Sequence, residues 1–388
     1  MPIINRVAAL ADEVALWRRD LHQNPELGFA VYRTAGIVAE KLKSFGCDDV
    51  VTEFAKTGVI GIIRGRQDAS KTVIGLRADM DALPIQETSG AAHTSQTAGQ
   101  MHACGHDGHT AMLLGAAKYL AETRTFDGTV VLIFQPAEEG EGGGRLMVEE
   151  GLMDRFGITE VYGMHNWPGV PVGNFAIRPG PLMAAANRFD ITINGRGSHA
   201  AQPHLSVDTV TIGCQLHQAL QMIVARNVDP LDSAVISITM FHAGAAHNVI
   251  PQRALLGGTV RTLRPETQKL VVQRMGEICD HLGRLHDAHI AFEYRYGVGC
   301  TFNHAEQTNG AIAAARDVAG EKNVETAVLP TMAGEDFSHM LAARPGAMIF
   351  IGNGDSAGLH HPDYDFNDGA IAAGVSYWSR LIEQRMPA

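Results

Sequence analysis

The sequence predicts an α/β protein in two parts: a discontinuous domain on a mixed, largely parallel sheet, and a smaller α+β domain inserted into it. Three observations carry that prediction. Short apolar runs alternate with an amphipathic helix pattern between residues 73 and 164, as expected of βαβ units with parallel strands. Each apolar run ends in a cluster of polar side chains able to bind or catalyse. From about Asn187 the order of predicted elements becomes βαββαβ, the ferredoxin-like arrangement. A chain of 388 residues also exceeds one average compact core, so two domains are the natural expectation.

The elements follow in order. Val7, Leu10, Val14, Trp17 and Leu21 recur by three and four, the stripe of an amphipathic helix. That helix should end at His22-Gln23-Asn24, because Pro25 disfavours helical geometry before it. Val73-Ile74-Gly75-Leu76 is a strand leading into Arg77-Ala78-Asp79-Met80-Asp81. A helix over 109–122 shows Met112, Leu113, Ala116 and Leu120 on one side. The run from Thr129 to Phe134 leads into Gln135-Pro136-Ala137-Glu138-Glu139, and that from Val161 to Met164 into His165-Asn166-Trp167. In parallel sheets ligands sit beyond the carboxyl ends of strands, so these polar clusters should share one edge.

Over 188–193 apolar and polar residues alternate as in a half-buried strand. A helix over 206–226, strands over 234–241 and 254–263, a helix opened by Pro265-Glu266 and a strand over 289–296 complete the block. The helix after Pro265 has Leu270, Val271, Met275, Ile278, Leu282 and Leu285 as its apolar face. Ala347-Met348-Ile349-Phe350-Ile351 then returns to the α/β pattern. The predicted division is 1–186 with 297–388 as the outer domain and 187–296 as the insert.

Composition excludes some roles. Apolar residues make up 45% and charged residues 19%, the balance of an ordinary soluble globular protein. Forty-two acidic against 31 basic residues give a formal charge of −11, which argues against nucleic acid or an anionic membrane as partner. No run approaches ~18 consecutive apolar residues, and the charged N-terminus reads as mature protein. Five scattered cysteines suit a reducing compartment, so the cytoplasm is the expected location.

The segment Met101-His102-Ala103-Cys104-Gly105-His106-Asp107-Gly108-His109 gathers a thiol, three imidazoles and a carboxylate, ligands suited to zinc and its transition-metal neighbours. A single such residue is more often a packed cysteine or a surface histidine. Here the glycines let the backbone aim several side chains at one point. Glu138 and Glu139 leave a buried strand side by side, an arrangement that repels itself unless cations or solvent relieve it. Side chains alternate in extended backbone, so one can hold metal while the other faces an attacking water. His165 and the pair His360-His361 extend the candidate ligand set, and His102, His109 and His361 are supporting candidates. Gly140, Gly142, Gly143 and Gly144 precede only Arg145, without the Gly-Lys-Ser/Thr of a P-loop or a Rossmann fingerprint. No Gly-x-Ser-x-Gly elbow supports a serine nucleophile. Among so many ligand-type neighbours, Cys104 reads as a metal-bound thiolate before it reads as a nucleophile.

These motifs resemble the M20 family of metallopeptidases, which has a zinc-peptidase-like catalytic domain, and within it the amidohydrolase branch of hippurate hydrolases, aminoacylase-like enzymes and auxin-conjugate hydrolases. The matching stretches are 20–28, 77–84, 101–110, 135–140, 163–168, 195–203, His247-Asn248-Val249-Ile250-Pro251, Ala333-Gly334-Glu335-Asp336-Phe337 and 359–368. The resemblance implies two divalent metal ions, drawn from zinc, manganese, cobalt and nickel. Cys104 would bridge them, with His106 and His165 on one and Glu139 and His360 on the other. Glu138 would be the general base. Asp79 stands where carboxypeptidase members have a histidine ligand, so Asp79 and Asp81 are expected to support the ligands without joining them. The insert would act as a lid and dimerisation domain, making a homodimer or higher homo-oligomer. There His199 would stabilise the oxyanion, and Asn248 and Arg261 would contact substrate.

The implied reaction is hydrolysis of small N-acyl amino acids to a free amino acid and a carboxylic acid, with Glu138 moving the proton from water to the leaving nitrogen. Metallo-carboxypeptidase or dipeptidase activity and N-acetyl-diaminopimelate deacetylation are rivals on the same site. A metal- or ligand-binding protein without catalysis is the rival from another class, though pure binding does not need the second glutamate.

Overall fold

The computed structural model describes residues 4–388. The expected first helix runs over Asn5–Gln23, with Val7, Leu10, Val14 and Leu21 buried. A second helix, Tyr32–Phe45, is set by only a short apolar stripe around Val38 and Leu42 and has no counterpart in the sequence reading.

Two compact units make up the chain. The first comprises Met1–Leu182, Phe302–Leu329 and Asp336–Ala388. Its eight-stranded sheet runs in the order Asp49–Phe54, Gly58–Arg64, Thr129–Gln135, Val73–Asp79, Glu160–Pro168, Gly346–Gly354, Phe175–Ala176, Val324–Glu325. The four central strands are mutually parallel. Asp49–Phe54 pairs antiparallel with Gly58–Arg64, which pairs antiparallel with Thr129–Gln135, and Phe175–Ala176 opposes Gly346–Gly354. The sheet is therefore mixed and largely parallel. Thr129–Gln135 is buried from Val130 onward and Val73–Asp79 from Ile74 onward. Strands buried on both faces carry continuous apolar runs instead of alternation, which is why they were legible as runs. Helices Asn5–Gln23, His106–Thr123, Ala305–Ala319 and Ile371–Arg385 pack on one another beside the sheet, around Val14, Leu113, Ala117 and Trp378.

The second unit comprises Met183–Thr301 and Pro330–Glu335. Its four-stranded sheet has the order Ala234–Ala243, Arg253–Thr262, Ala185–Asn194, His289–Val298, every neighbour antiparallel. Helices Thr209–Asn227 and Pro265–His286 complete a ferredoxin-like βαββαβ order. Phe189, Ile191 and Ile193 alternate into a core with Ile212, Leu216, Val271 and Met275. The first helix starts at Thr209, later than the predicted 206, because the Asp208 carboxylate accepts the backbone N–H groups of Val210 and Thr211.

The division falls at 182/183 and 301/302, where the sequence suggested 186/187 and 296/297, and residues 330–335 join the second unit. Pairing explains the difference. The sheet of the second unit already begins at Ala185, opposite Thr262, and its last strand continues to Val298. Met183 bridges to Thr331, and the Ala184 N–H donates to the carbonyls of Thr331 and Ala333. Among the described residues no helix is long and apolar enough to cross a membrane.

Candidate metal centre

The carboxyl ends of the four parallel strands of the first unit deliver the ligand-type residues to one place. Val73–Asp79 brings Asp79 and, just beyond it, Asp81. Thr129–Gln135 is followed by Pro136, Ala137 and the glutamate pair. Glu160–Pro168 carries His165, paired in register with Phe350 of the neighbouring strand. Gly346–Gly354 leads to the loop that holds His360. Cys104 and His106 enter from the start of helix His106–Thr123. Gly105 caps that helix with φ 85, and a Cβ there would lie 2.3 Å from Asn166 Nδ2 and 2.4 Å from the Tyr364 hydroxyl. Only glycine fits.

Two triads of donor atoms share one member. One donor atom each from Cys104, His106 and His165 lies within 4.8 Å of the others, and the same holds for Cys104, Glu139 and His360. Glu138 joins His106 and Glu139 in a third such group. Cys104 Sγ is 3.4 Å from His165 Nε2, and Glu139 Oε1 is 3.3 Å from His360 Nε2. The histidine tautomers suit ligation. His165 Nδ1 donates to the Asn166 carbonyl at 2.7 Å and His106 Nδ1 to the Asp81 carbonyl at 2.8 Å. A carbonyl oxygen only accepts, so both Nδ1 atoms carry protons and both Nε2 atoms face the cluster. This backbone anchoring is the usual outer support of a metal-bound imidazole.

The donor set fits a pair of divalent cations. His106 Nε2 and Glu139 Oε1 are buried and have no aligned hydrogen-bond partner, a cost of about 1–3 kcal/mol each unless something binds them. Burial pushes the Cys104 thiol well above its usual range, and Glu139 and Glu138 push the same way. Burial lowers His106, but Asp79 and Cys104 overcome it and hold the imidazole well above its ordinary value. Side chains arranged in this way attract positive charge that their own atoms do not supply. Burial holds His165 well below its ordinary value, keeping it a neutral donor.

Two backbone outliers mark the site. Ala137 and His360 have φ of 58° and 64°, a conformation that costs residues with a Cβ about 1–3 kcal/mol and concentrates at functional positions. The His360 N–H donates to the Ala103 carbonyl at 2.8 Å, tying its loop to the Cys104 segment.

The supporting residues separate by role. Asp81 accepts the backbone N–H groups of Glu138 and Glu139, one on each carboxylate oxygen, both at 3.0 Å. Asp79 accepts from His109 Nδ1 at 2.6 Å and from Arg77 at 2.8 Å. Burial opposes its charge, but Arg77, His106 and His109 hold its carboxyl well below the usual range. His109 Nε2 in turn accepts the Asn166 N–H at 2.9 Å, so both its nitrogens are occupied and it has no lone pair for a metal. His102 is buried with both ring nitrogens unpartnered, and burial holds it at about 3. His361 is exposed and accepts the Asp363 N–H.

Sequence reasoning assigned no role to Asn166, Arg77, Gln135 or Asp336. Asn166 donates to the Cys104 carbonyl and accepts from Tyr364. The available signal for the others was an arginine closing an apolar strand, since a fully buried arginine requires acid partners.

In the second unit the structure brings His199 and Asn248 together. The short strand Ser198–His199 pairs with Val249–Ile250, and the Ala200 N–H donates to the Asn248 carbonyl at 3.0 Å. The Ala201 N–H donates to His199 Nδ1 at 3.1 Å, which leaves the exposed Nε2 as the position for the ring proton. Arg261 lies on the central strand Arg253–Thr262, half-buried, with its guanidinium on the Val260 carbonyl. Burial and then Arg188 lower its pKa.

A similar architecture and a similar sequence are found in known proteins. Residues 75–384 match the model of peptidase family M20/M25/M40. Over 381 residues the chain is 42% identical to a hippurate hydrolase of Campylobacter jejuni, covering 98% of both chains. An N-acyl-L-amino acid amidohydrolase of Geobacillus stearothermophilus is 44% identical over 296 residues, covering 76% of this chain and 79% of that one. A solved dinuclear metal-binding peptidase of the M20 family from Bacillus subtilis superposes with a TM-score of 0.85 at 33% identity, covering 97% of this chain and 99% of that one.

Proposed function

The chain belongs to peptidase family M20/M25/M40, and from that premise we propose that it hydrolyses the amide bond of N-acyl amino acids. The products are a free amino acid and a carboxylic acid. The observation that carries this reading is the pair of donor triads sharing Cys104, with Glu138 at their margin. A site for binding alone has no use for that additional carboxylate. The names of the two relatives support the acyl-amino-acid class.

In this proposal two divalent metals would be held by Cys104, His106, His165, Glu139 and His360, the cysteine belonging to both donor triads. The metals, when bound, polarise the scissile carbonyl and ease the ionisation of water near neutral pH. Glu138 takes a proton from the attacking water as its oxygen adds to the carbonyl carbon. It returns that proton to nitrogen as the C–N bond breaks. Asp81 keeps the Glu138–Glu139 backbone in place, and Asp79 fixes the ring of His109. His199 is the oxyanion donor, consistent with a proton on Nε2, and Asn248 and Arg261 hold the substrate. The second unit serves as lid and dimerisation domain. Five free cysteines support a cytoplasmic address.

The test is release of free amino acid from N-acetyl and N-benzoyl amino acids and unblocked dipeptides, as purified, after chelation, and after return of zinc or manganese. Chelator-sensitive cleavage of the acylated compounds is expected. Cleavage of dipeptides alone would replace this reading with a peptidase.

A further inference from the structure

We propose that Asp336 is a positioning residue for Glu138, locked in place by Arg77; the proposal rests on Glu138 being the general base. The Asp336 backbone N–H donates to Glu138 Oε1 at 3.3 Å, so the placement of Asp336 decides where the base carboxylate points. Asp336 itself is fully buried. Its Oδ1 accepts from Arg77 at 3.1 Å and Gln135 Nε2 at 2.7 Å, and its Oδ2 accepts the Gly144 N–H at 2.7 Å. Gln135 Oε1 accepts from Arg77 Nε at 2.9 Å, which fixes both partners of Oδ1 against each other.

The guanidinium fork faces two ways. One terminal nitrogen holds Asp336 on the side of the base, and the other holds Asp79 on the side of His109. Asp79 reaches His109, and His109 reaches the Asn166 backbone next to His165. Arg77 thus joins the base and the metal-binding floor through buried charge-assisted hydrogen bonds. The two arms have separable consequences. The Asp336 arm acts on the orientation of Glu138, and the Asp79 arm acts on the ligand scaffold.

Arg77 and Gln135 donate to one oxygen of the Asp336 carboxylate and the Gly144 N–H to the other, so an isosteric amide must turn an NH₂ toward a donor whichever way it faces. Asp336→Asn therefore disturbs the lock without changing volume. Gly144→Ala disturbs it without changing any polar group, because a Cβ at 144 would lie 2.9 Å from the Asp336 carbonyl and Oδ1. Alanine also favours the helix Gly143–Glu149 in which it would sit, so this variant is expected to fold. Arg77→Lys replaces the planar fork with a point charge and strikes both arms.

The experiment compares these variants with Glu138→Gln in metal-loaded protein on an acyl amino acid, reading kcat, KM, bound metal and melting temperature. Asp336→Asn and Gly144→Ala should lower kcat at least about tenfold, leave KM within about twofold and retain both metals, the pattern of an interaction made in the transition state. Arg77→Lys should lower kcat and metal content together. Wild-type kcat in folded Asp336→Asn and Gly144→Ala beside an inactive Glu138→Gln would overturn the positioning role and leave the base intact. Loss of kcat only in proportion to lost metal would overturn it as well. An active Glu138→Gln would remove the base assignment and this inference with it.

Discussion

Glu138 and Glu139 are neighbours in sequence with opposite work in the proposed reaction, and the backbone around them sets the difference. Ala137 turns at φ 58, Asp81 takes one N–H from each glutamate, and the Asp336 N–H donates to Glu138. Glu139 Oε1 instead lies beside His360 and within the Cys104 triad. Two substitutions separate the roles. Glu138→Gln should retain both metals and lose about 10²–10⁴-fold in kcat, the usual scale for a general base. Cys104→Ala removes the atom common to both triads and should lose metal from each, read by elemental analysis. Full metal content in that variant would take Cys104 out of the ligand set. The two glutamates and the cysteine could be picked out from residue type and spacing. The division of labour among the supporting carboxylates could not, because Asp79 and Asp336 meet on Arg77 from distant parts of the chain.

At the scale of elements, helix Asn5–Gln23 does more than cover the sheet. Its His22 is buried between Asp107, at 2.8 Å, and Glu87, at 3.3 Å, and its Arg18 pairs with the same Asp107 at 3.0 Å. These contacts tie the helix to the first turn of His106–Thr123 and to the loop that carries Glu87. Burial pulls His22 down, yet Asp107 and Glu87 hold it at about 9, above its ordinary 6.5. A value raised on folding contributes stability that is complete below pH 6.5 and lost as pH rises through about 9. The difference corresponds to about 3 kcal/mol. Urea unfolding at pH 6 and pH 9.5 should show a larger alkaline loss in wild type than in His22→Gln, and equal losses would refute the buried imidazolium. The helix itself was legible from Val7, Leu10, Val14 and Leu21. The burial of Arg18 and His22 was not, since polar residues within a helix ordinarily face solvent and these are held inside only by acids from elsewhere in the chain.

For the whole molecule, two metals that bind the folded chain and not the unfolded one must stabilise it by mass action, about 1.4 kcal/mol for each tenfold excess of free metal over Kd. Chelation should therefore lower the melting temperature along with activity, and zinc or manganese should restore both. An unchanged melting temperature in protein shown to be stripped of metal would mean that the ligand residues hold their places without it. The sequence by itself determined the class of both units, the parallel direction of the strands that end at the site, and the candidate ligand residues, because continuous apolar runs, alternation and the chemistry of Cys, His and Glu are local properties. Exact unit boundaries, the tautomers of His106, His109 and His165, and the Arg77 lock were decided only by tertiary structure. Each depends on which backbone carbonyl, carboxylate or strand arrives from a distant segment, as when Thr331 meets Met183 or Asp336 meets Arg77. A residue's own neighbours in sequence carry no record of such a meeting.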